Sequence, residues 1–181
     1  ASKLRWVFAH QPEIAKKIQK ICLPGDYVGL RLTGELMTTS SGLSEGIFWD
    51  FESNGVAQRV LDVLEINPSL LANIAPTFGV QGIVTPAAAE ETGLPSGIPV
   101  CYRAGDQPNN ALSLGVLEPG EIAATAGTSG VIYAVSDSGA ADERSRVNVF
   151  LHVNHHSSAP RYGTLLCVNG CGILNSWIRK I

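Results

Sequence analysis

The spacing of apolar residues changes about midway along this chain, and that change constrains the fold more than any other feature. In the first half, apolar residues recur at helical intervals, as at Ile14, Ile18 and Ile21. In the second half, short apolar runs alternate with glycine-containing turns, which is typical of a strand-rich sheet. We therefore predict a mixed α/β chain with a domain boundary near residue 97, mainly helical over 1–97 and strand-rich over 98–181.

The ends of helices and strands follow from these two periods and from the residues that flank each run. Proline in a first turn and glycine after a last turn mark helix ends. The predicted helices cover residues 12–21, 26–32, 56–64, 86–92, 107–115 and 172–181, with one helical turn at 68–71. The predicted strands cover residues 98–103, 121–126, 130–136, 147–154 and 162–168, with a shorter candidate at 82–84.

Bulk composition argues against several classes of protein. With 181 residues, 45% of them hydrophobic, the chain can bury a substantial core. The formal net charge is −3 and the 13 basic residues form no stripe, which argues against a nucleic-acid partner. No apolar run approaches the roughly 20 residues that span a bilayer, and no signal peptide opens the chain. We therefore expect a cytoplasmic protein with no membrane partner.

Cysteine and histidine positions do not predict metal ligands. His152 and His156 would share one face of a strand, with His155 between them, but no cysteine or carboxylate lies nearby to complete a site. Cysteines in apolar or glycine-rich surroundings usually behave as small hydrophobes, so reduced structural thiols are expected here. This expectation applies to all four cysteines: Cys22, Cys101, Cys167 and Cys171.

Asp106 is the strongest candidate for a catalytic group. It follows the apolar run 98–102, predicted as a buried strand, at the point where the chain turns into a helix. A carboxylate within hydrogen-bond reach of an alcohol can accept its proton. The alternative is that Asp106 caps the helix that begins at residue 107, and both roles can hold at once.

Two neighbours of Asp106 carry weaker signals. Gln107 has an amide that can donate to one hydroxyl group and accept from another, although it could equally be a solvated residue of the first helical turn. Arg103 could pair with Asp106, hold a substrate oxygen or, as an alternating strand residue, face solvent.

The turn Gly127–Gly130 comes directly after the predicted strand 121–126 and leads into the predicted strand 130–136. Glycine lets the backbone approach a phosphate closely, and Thr128 adds a hydroxyl donor. No lysine follows the glycines, so this is not a Walker-type loop. An ordinary β-turn is the alternative. Together with a carboxylate about twenty residues earlier, the turn suggests phosphoryl transfer from a nucleotide to a hydroxyl group.

A second glycine-containing turn, Asn169–Gly172, precedes the last predicted helix. It allows close approach of the backbone, and a helix N-terminus can face an anion. A plain strand-to-helix turn explains the same residues equally well.

These motifs resemble those of a known family. The segments 104–107 and 127–131 are similar to the catalytic-aspartate and second-phosphate motifs of the FGGY carbohydrate kinases. Other segments are similar to the xylulokinase branch of that family: 23–27, 32–34, 44–46 and 169–177. The resemblance covers nearly the whole chain, but only the middle portion of such a kinase.

The resemblance implies an actin-like, ribonuclease H-like ATPase fold, with the chain spanning the end of the first domain and the start of the second. It implies transfer of the γ-phosphoryl group of ATP, with Mg²⁺, to a hydroxyl group of D-xylulose. Asp106 would be the catalytic base and would bind the substrate together with Gln107. Gly127 and Thr128 would contact the phosphates of ATP, and Gly170 the nucleotide.

Segments that such a kinase needs do not occur in the chain. These are an amino-terminal Asp-x-Gly-Thr phosphate loop, an early sugar-binding region and a carboxy-terminal glycine-rich adenosine motif. We therefore expect a fragment with little or no kinase activity alone, and the family makes a homodimer possible. Two alternatives stay open: a sister kinase acting on ribulose, glycerol or gluconate, and a non-catalytic actin-like nucleotide-binding module.

Overall fold

The computed structural model describes residues 1–181 and divides after Gly105 into two units, residues 1–105 and 106–181. Both helices and strands occur in each unit, so the predicted mixed α/β class is confirmed. The domain boundary near residue 97 stays a prediction. None of the helices is both long enough and apolar enough to cross a membrane.

The first unit is mainly helical with four short strands. Its elements are α1 (Ser2–His10), α2 (Pro12–Ala15), α3 (Pro24–Thr33), β1 (Met37–Thr39), α4 (Ser40–Glu45), β2 (Trp49–Asp50), β3 (Gly55–Val56), α5 (Gln58–Val63), β4 (Asn73–Ala75) and α6 (Pro86–Thr92), with a 3₁₀ turn at Pro68–Leu70. Strands β1 and β4 pair in parallel, and β2 pairs antiparallel with β3. The core of this unit is built from Leu43, Phe48, Leu61, Ile66 and Leu71.

Local capping explains the two best-predicted helices of this unit. Helix α3 begins at Pro24, and the Asp26 carboxylate accepts a hydrogen bond from the Leu23 amide at 3.0 Å. Helix α6 begins after Thr85, whose hydroxyl oxygen accepts from the Ala88 amide. Each helix ends at a glycine in the left-handed conformation, which glycine adopts without steric cost.

Tertiary contacts shorten two of the predicted helices, the first by more than half and the second by only a few residues at its ends. The helix predicted over 12–21 stops at Ala15, because the chain beyond it pairs elsewhere: the Ile21 amide donates to Leu70, and the Lys20 ammonium donates to the carbonyl oxygens of Ser69 and Leu71. The helix predicted from residue 56 begins only at Gln58, since Val56 pairs with Trp49 across β2 and β3.

The segment 98–103, predicted as a buried strand, forms no regular strand, and of its residues only Arg103 is buried. Ile98 is 37% exposed, and the segment pairs with residues 77–84 through scattered backbone bonds and isolated bridges. Residues 82–84 likewise form no strand. Pro99 has no amide hydrogen to donate, and Gly79 and Gly82 adopt positive φ angles, so a continuous ladder does not form.

The second unit is a four-stranded antiparallel sheet with two helices. Its elements are α7 (Asp106–Ser113), β5 (Ile122–Ala126), β6 (Gly130–Ser136), β7 (Asn148–Leu151), β8 (Tyr162–Val168) and α8 (Cys171–Ile178). The strand order is β5-β6-β8-β7. One face of the sheet packs against α7 around Ala111, Ala123, Tyr133 and Val135. The predicted strands 121–126, 130–136 and 162–168 are confirmed, whereas 147–154 is shortened to β7.

Candidate active site

Asp106 is the first residue of α7 and its side chain is exposed. The carboxylate accepts no hydrogen bond from any protein group, so the helix-cap alternative is not realised. Gln107, the next residue, is half-buried, and its amide group is also unpartnered. The first turn of α7 therefore presents a free carboxylate and a free amide side by side, which suits the binding of a polyhydroxylated molecule.

Arg103 is buried and paired elsewhere, so two of the three roles considered for it, pairing with Asp106 and facing solvent, are not observed. Its side chain is 8% exposed and forms an ion pair with Asp26, whose side chain is 4% exposed. The Nη1 group donates to Asp26 Oδ1 at 3.2 Å and to the carbonyl oxygen of Met37 at 2.7 Å. Arg103 thus neither pairs with Asp106 nor faces solvent. Nothing in the sequence indicated the pairing, because the two residues lie 77 positions apart.

The turn 127–130 joins β5 to β6 and leaves hydrogen-bond donors exposed at its tip. The amide of Gly127 donates to Ser129 within the turn at 3.0 Å. The amide and the hydroxyl group of Thr128 have no protein partner, and Thr128 is exposed. An exposed turn with free donors of this kind can bind phosphate oxygens, with Thr128 better placed to donate than Gly127.

The start of α8 holds this turn in place. The amide of Gly172 donates to the carbonyl oxygens of Gly127 and Thr128, at 3.0 and 3.1 Å. A Cβ atom at residue 172 would occupy the position of the Gly127 carbonyl, so only glycine fits here. Gly170, with a φ of 97°, sets the direction of the chain into α8. The structure therefore brings together the predicted residues Gly127, Thr128 and Gly170.

Gly172 is a functional candidate that sequence reasoning missed. The sequence did contain a signal for it, because the turn Asn169–Gly172 has a second glycine besides Gly170. A second close contact supports the same arrangement: a Cβ atom at Gly130 would lie 2.7 Å from Cys171 Sγ. Both glycines thus allow the turn to pack directly on the first residues of α8.

His152 belongs to the core of the second unit. Its Nε2 lies 3.1 Å from the carbonyl oxygen of Val116, which can only accept, so Nε2 carries the hydrogen. Nδ1 then accepts from the Tyr133 hydroxyl group at 3.0 Å. Burial lowers the pKa of His152, because the charged form is poorly solvated there. Both ring nitrogens are used, which leaves none for a metal.

All four cysteines are free and exposed, so the expectation of structural thiols that pack as small hydrophobes is wrong. The expectation rested on apolar neighbours in the sequence. Apolar neighbours in the sequence do not ensure burial: Leu166 and Val168, on either side of Cys167, are themselves 36% and 47% exposed.

Comparison with known proteins shows what this arrangement is similar to. The model of the FGGY family of carbohydrate kinases, N-terminal domain, matches residues 1–113. Xylulose kinase of Escherichia coli strain K12 is 30% identical over 152 residues, which cover 84% of this chain and 31% of that protein. Autoinducer-2 kinase of Klebsiella pneumoniae is 32% identical over 126 residues, which cover 70% of this chain and 24% of that protein.

A solved structure gives the same result for the fold. The xylulose kinase of Rhodospirillum rubrum is similar over 98% of this chain, with a TM-score of 0.86 and 32% sequence identity. The match covers 35% of that protein. The chain therefore spans about a quarter to a third of the length of the proteins that it matches, and over that stretch it has the actin-like fold of the family.

Proposed function

This chain belongs to the FGGY family of carbohydrate kinases, and from that membership we propose that it works within a longer, ATP-dependent sugar kinase. The proposed reaction transfers the γ-phosphoryl group of ATP to a hydroxyl group of D-xylulose, in the cytoplasm, where ATP is available. By their names, the relatives described above include two xylulose kinases and one autoinducer-2 kinase. The comparisons therefore support a kinase of this family, and the choice of D-xylulose is part of the proposal.

The observation that carries the proposal is the free, exposed carboxylate of Asp106 at the start of α7. A sugar hydroxyl group is a weak nucleophile, and a carboxylate that accepts its proton speeds the attack by about 10² to 10⁴. Because Asp106 has no protein partner, its lone pairs are available to that hydroxyl group. Gln107 would hold a neighbouring hydroxyl group and so fix the orientation of the sugar.

The donors of the turn 127–130 would hold the phosphates of ATP. Phosphoryl transfer needs mainly positioning and stabilisation of charge, which amide and hydroxyl donors provide. Thr128 offers one donor of each kind. Gly170 lines a cavity of about 430 Å³ at the start of α8, together with Ile173 and Trp177, and this cavity would take part of the nucleotide.

These residues also fit Mg²⁺ as part of an Mg·ATP complex. Mg²⁺ usually keeps several waters and is bound by substrate phosphates with only one or two carboxylates, so a turn that holds phosphates suffices to bring it in. When bound, the ion would neutralise charge on the transferred group. Thr128 would hold the phosphates that carry the ion.

The proposal is tested by sugar-dependent release of ADP from the full-length kinase. With D-xylulose and Mg·ATP, we expect Asp106→Asn to lower the rate at least about a hundredfold. Asp137→Asn is the matched control, since it makes the same change at an exposed residue of the same unit. If ADP release depends on the sugar but is unchanged in Asp106→Asn, then Asp106 is not the catalytic base.

A panel of D-xylulose, D-ribulose, glycerol and gluconate tests the choice of substrate in the same assay. The highest kcat/KM is expected for D-xylulose. A higher kcat/KM for another acceptor would show that D-xylulose is not the preferred substrate, while the proposed kinase activity would stand. If ATP binds but no acceptor on the panel releases ADP, the non-catalytic nucleotide-binding alternative gains the stronger support.

A further inference from the structure

A largely apolar cavity of about 520 Å³ lies within the first unit, and none of the proposed site residues lines it. It lies between α1, the segment 18–23, α4 and the chain at residues 71–72. Among the apolar residues of its wall are Leu4, Val7, Ile21, Leu23, Leu43 and Phe48. Pockets for small organic ligands typically measure roughly 300 to 1,000 Å³, so the cavity has a suitable size for the apolar part of such a molecule.

The sequence explains why this wall is apolar. Leu4 and Val7 are three positions apart and therefore share one face of α1. Ile18 and Ile21 follow the early end of α2 and line the cavity from a segment that is not helical, where Ile21 pairs with Leu71. The contacts that shorten the predicted helix thus place two further apolar side chains in the wall.

Thr38, in β1, contributes a buried hydroxyl group to the wall. The residue is 3% exposed, and its hydroxyl group has no hydrogen-bond partner in residues 1–181. The hydroxyl group of the next residue, Thr39, is by contrast used at the start of α4, where it accepts from the Gly42 amide at 3.0 Å. A buried polar group without a partner is unfavourable, so a ligand that hydrogen-bonds to Thr38 satisfies a group that the protein leaves unused.

Two lysines, Lys3 and Lys20, add positive charge to the lining of the cavity. The Lys20 ammonium group donates to two carbonyl oxygens, at 2.8 and 2.9 Å, and keeps a third N–H for a ligand. The one acidic residue of the lining, Asp26, is already paired with Arg103. The cavity therefore offers an unneutralised positive charge, which suits an anionic group.

Lys20 and Thr38 lie on the same side of the cavity. One of the carbonyl oxygens that accept from Lys20 belongs to Leu71. Strand β4 pairs in parallel with β1, so that Ile74 lies opposite Thr38. Residues 71–75 thus run past both groups, and an ammonium donor and a hydroxyl donor are found at one side of an apolar cavity.

We propose that this cavity binds an aliphatic carboxylate of about ten carbons, as a further ligand of the protein. The carboxylate accepts hydrogen bonds from Thr38 and Lys20, and the alkyl chain packs against Leu4 and Val7. Burial of the chain supplies affinity, while charge-assisted hydrogen bonds favour the anion over a neutral alcohol. The site is independent of the proposed kinase reaction, because it uses no residue assigned to that reaction.

Cys22 reports on occupancy, because it lines the cavity and its thiol is free and exposed. We expect decanoate to slow the alkylation of Cys22 by iodoacetamide at least about fivefold in the full-length kinase, because a bound ligand blocks access to the thiol. Mass spectrometry of the digested protein measures the alkylation of each cysteine. Cys101, Cys167 and Cys171 do not line the cavity and serve as internal controls, whose alkylation should not change.

Acetate and 1-decanol separate the two parts of the ligand. Acetate has the charge without the chain, and 1-decanol has the chain without the charge. Neither should protect Cys22 at the concentration at which decanoate does. Equal protection by 1-decanol would overturn the carboxylate site, and so would alkylation of Cys22 that decanoate leaves unchanged.

Thr38→Val distinguishes a binding role from a structural one. Because the hydroxyl group has no partner in the free protein, its removal should leave the midpoint of urea unfolding unchanged. The Kd for decanoate, measured by isothermal titration calorimetry, should rise about tenfold, since a hydrogen bond to a charged group is lost. An unchanged Kd in this variant overturns the inference.

Lys20→Gln and Lys17→Gln form a matched pair. Lys20→Gln removes the charge beside the cavity and should raise the Kd for decanoate about threefold, a modest effect because exposed charges are screened by water. Lys17 is exposed and does not line the cavity, so Lys17→Gln should leave the Kd unchanged. If the two variants weaken binding equally, Lys20 does not contact the carboxylate and the proposed site is wrong.

Discussion

The two units fix their internal geometry by opposite means. In residues 1–105, a buried ion pair joins the Arg103 side chain to Asp26. In residues 106–181, the turn that contains Thr128 is held by the backbone, with the Gly172 amide donating to two carbonyl oxygens. The first arrangement is disrupted when atoms are removed, because a buried charge is left alone, and also when a Cβ atom is added at Gly29. The second contains no charged group and is disrupted only by added atoms, because only glycine fits at residue 172.

The largest expected effect comes from removing one charge of the buried pair. Arg103→Met leaves Asp26 buried without its cation, which typically lowers the free energy of unfolding by about 3–5 kcal/mol. Urea unfolding followed by circular dichroism measures it.

Arg31→Met is the matched control for this change. It removes an arginine of the same unit whose ion pair with Glu91 is exposed, with 58% and 67% of the two side chains accessible. Exposed pairs contribute little, so the urea midpoint should not move. If both variants lose the same free energy of unfolding, then burial of the Arg103–Asp26 pair is not the cause of its larger expected effect.

Addition of one methyl group tests the backbone contact of the second unit. Gly172→Ala forces the turn 127–130 away from α8, and overpacking of this kind costs about 1–3 kcal/mol. We also expect ATP binding by the full-length kinase to weaken about tenfold, equivalent to about 1.4 kcal/mol. Isothermal titration calorimetry measures the binding.

Gly127→Ala separates an effect on ATP binding from the effect on stability that Gly172→Ala also has. At Gly127 an added Cβ atom meets only the Ser129 carbonyl oxygen, at 3.8 Å, so the free energy of unfolding should not change. If phosphate must approach the backbone closely, ATP binding should weaken all the same. Unchanged ATP binding in both variants would contradict the phosphate role of the turn.

A smaller effect is expected from the polar pair in the core of the second unit. Tyr133→Phe removes the hydroxyl donor to His152 Nδ1 and leaves that nitrogen buried without a partner. An unsatisfied buried group costs about 1–3 kcal/mol, which thermal or urea unfolding can resolve. A loss near zero would mean that another donor replaces the hydroxyl group.

The pH dependence of stability follows from His152 and from a second histidine, His155. Burial lowers the pKa of both His152 and His155 below that of the unfolded chain, about 6.5. Between the folded and unfolded pKa values the unfolded chain binds more protons, so the stability present above about pH 6.5 is lost as pH falls towards the folded values. Urea midpoints from pH 7.5 to pH 5 should therefore fall. The slope should be smaller in His152→Gln, and an unchanged slope would assign the effect to other groups.

Structures with local causes were predictable. Helix α6 was predicted at its observed bounds because Thr85 and Gly93, which start and end it, are its immediate neighbours. The strands β5, β6 and β8 were predicted because their apolar runs are bounded by glycine turns. The position of Asp106 at the start of α7 was predictable for the same reason.

Structures that depend on distant partners were not predictable. The helix after Pro12 ends early because Lys20 and Ile21 pair with residues near Leu70, some fifty positions away. The segment 98–103 reads as a buried strand in the sequence, but Pro99 and the glycines opposite it prevent a regular ladder. Likewise, no local pattern indicated that Gly29 would make room for Arg103.

The sequence by itself determined the α/β class, the resemblance to the family and the identity of the candidate groups, Asp106, Gln107, Gly127, Thr128 and Gly170. These depend on short motifs and on periodicity, which are properties of neighbouring residues. Only the tertiary structure decided which distant residues pair: Asp26 with Arg103, and Gly172 with the turn 127–130. Such contacts join residues far apart in the chain, and their geometry depends on packing that no local pattern encodes.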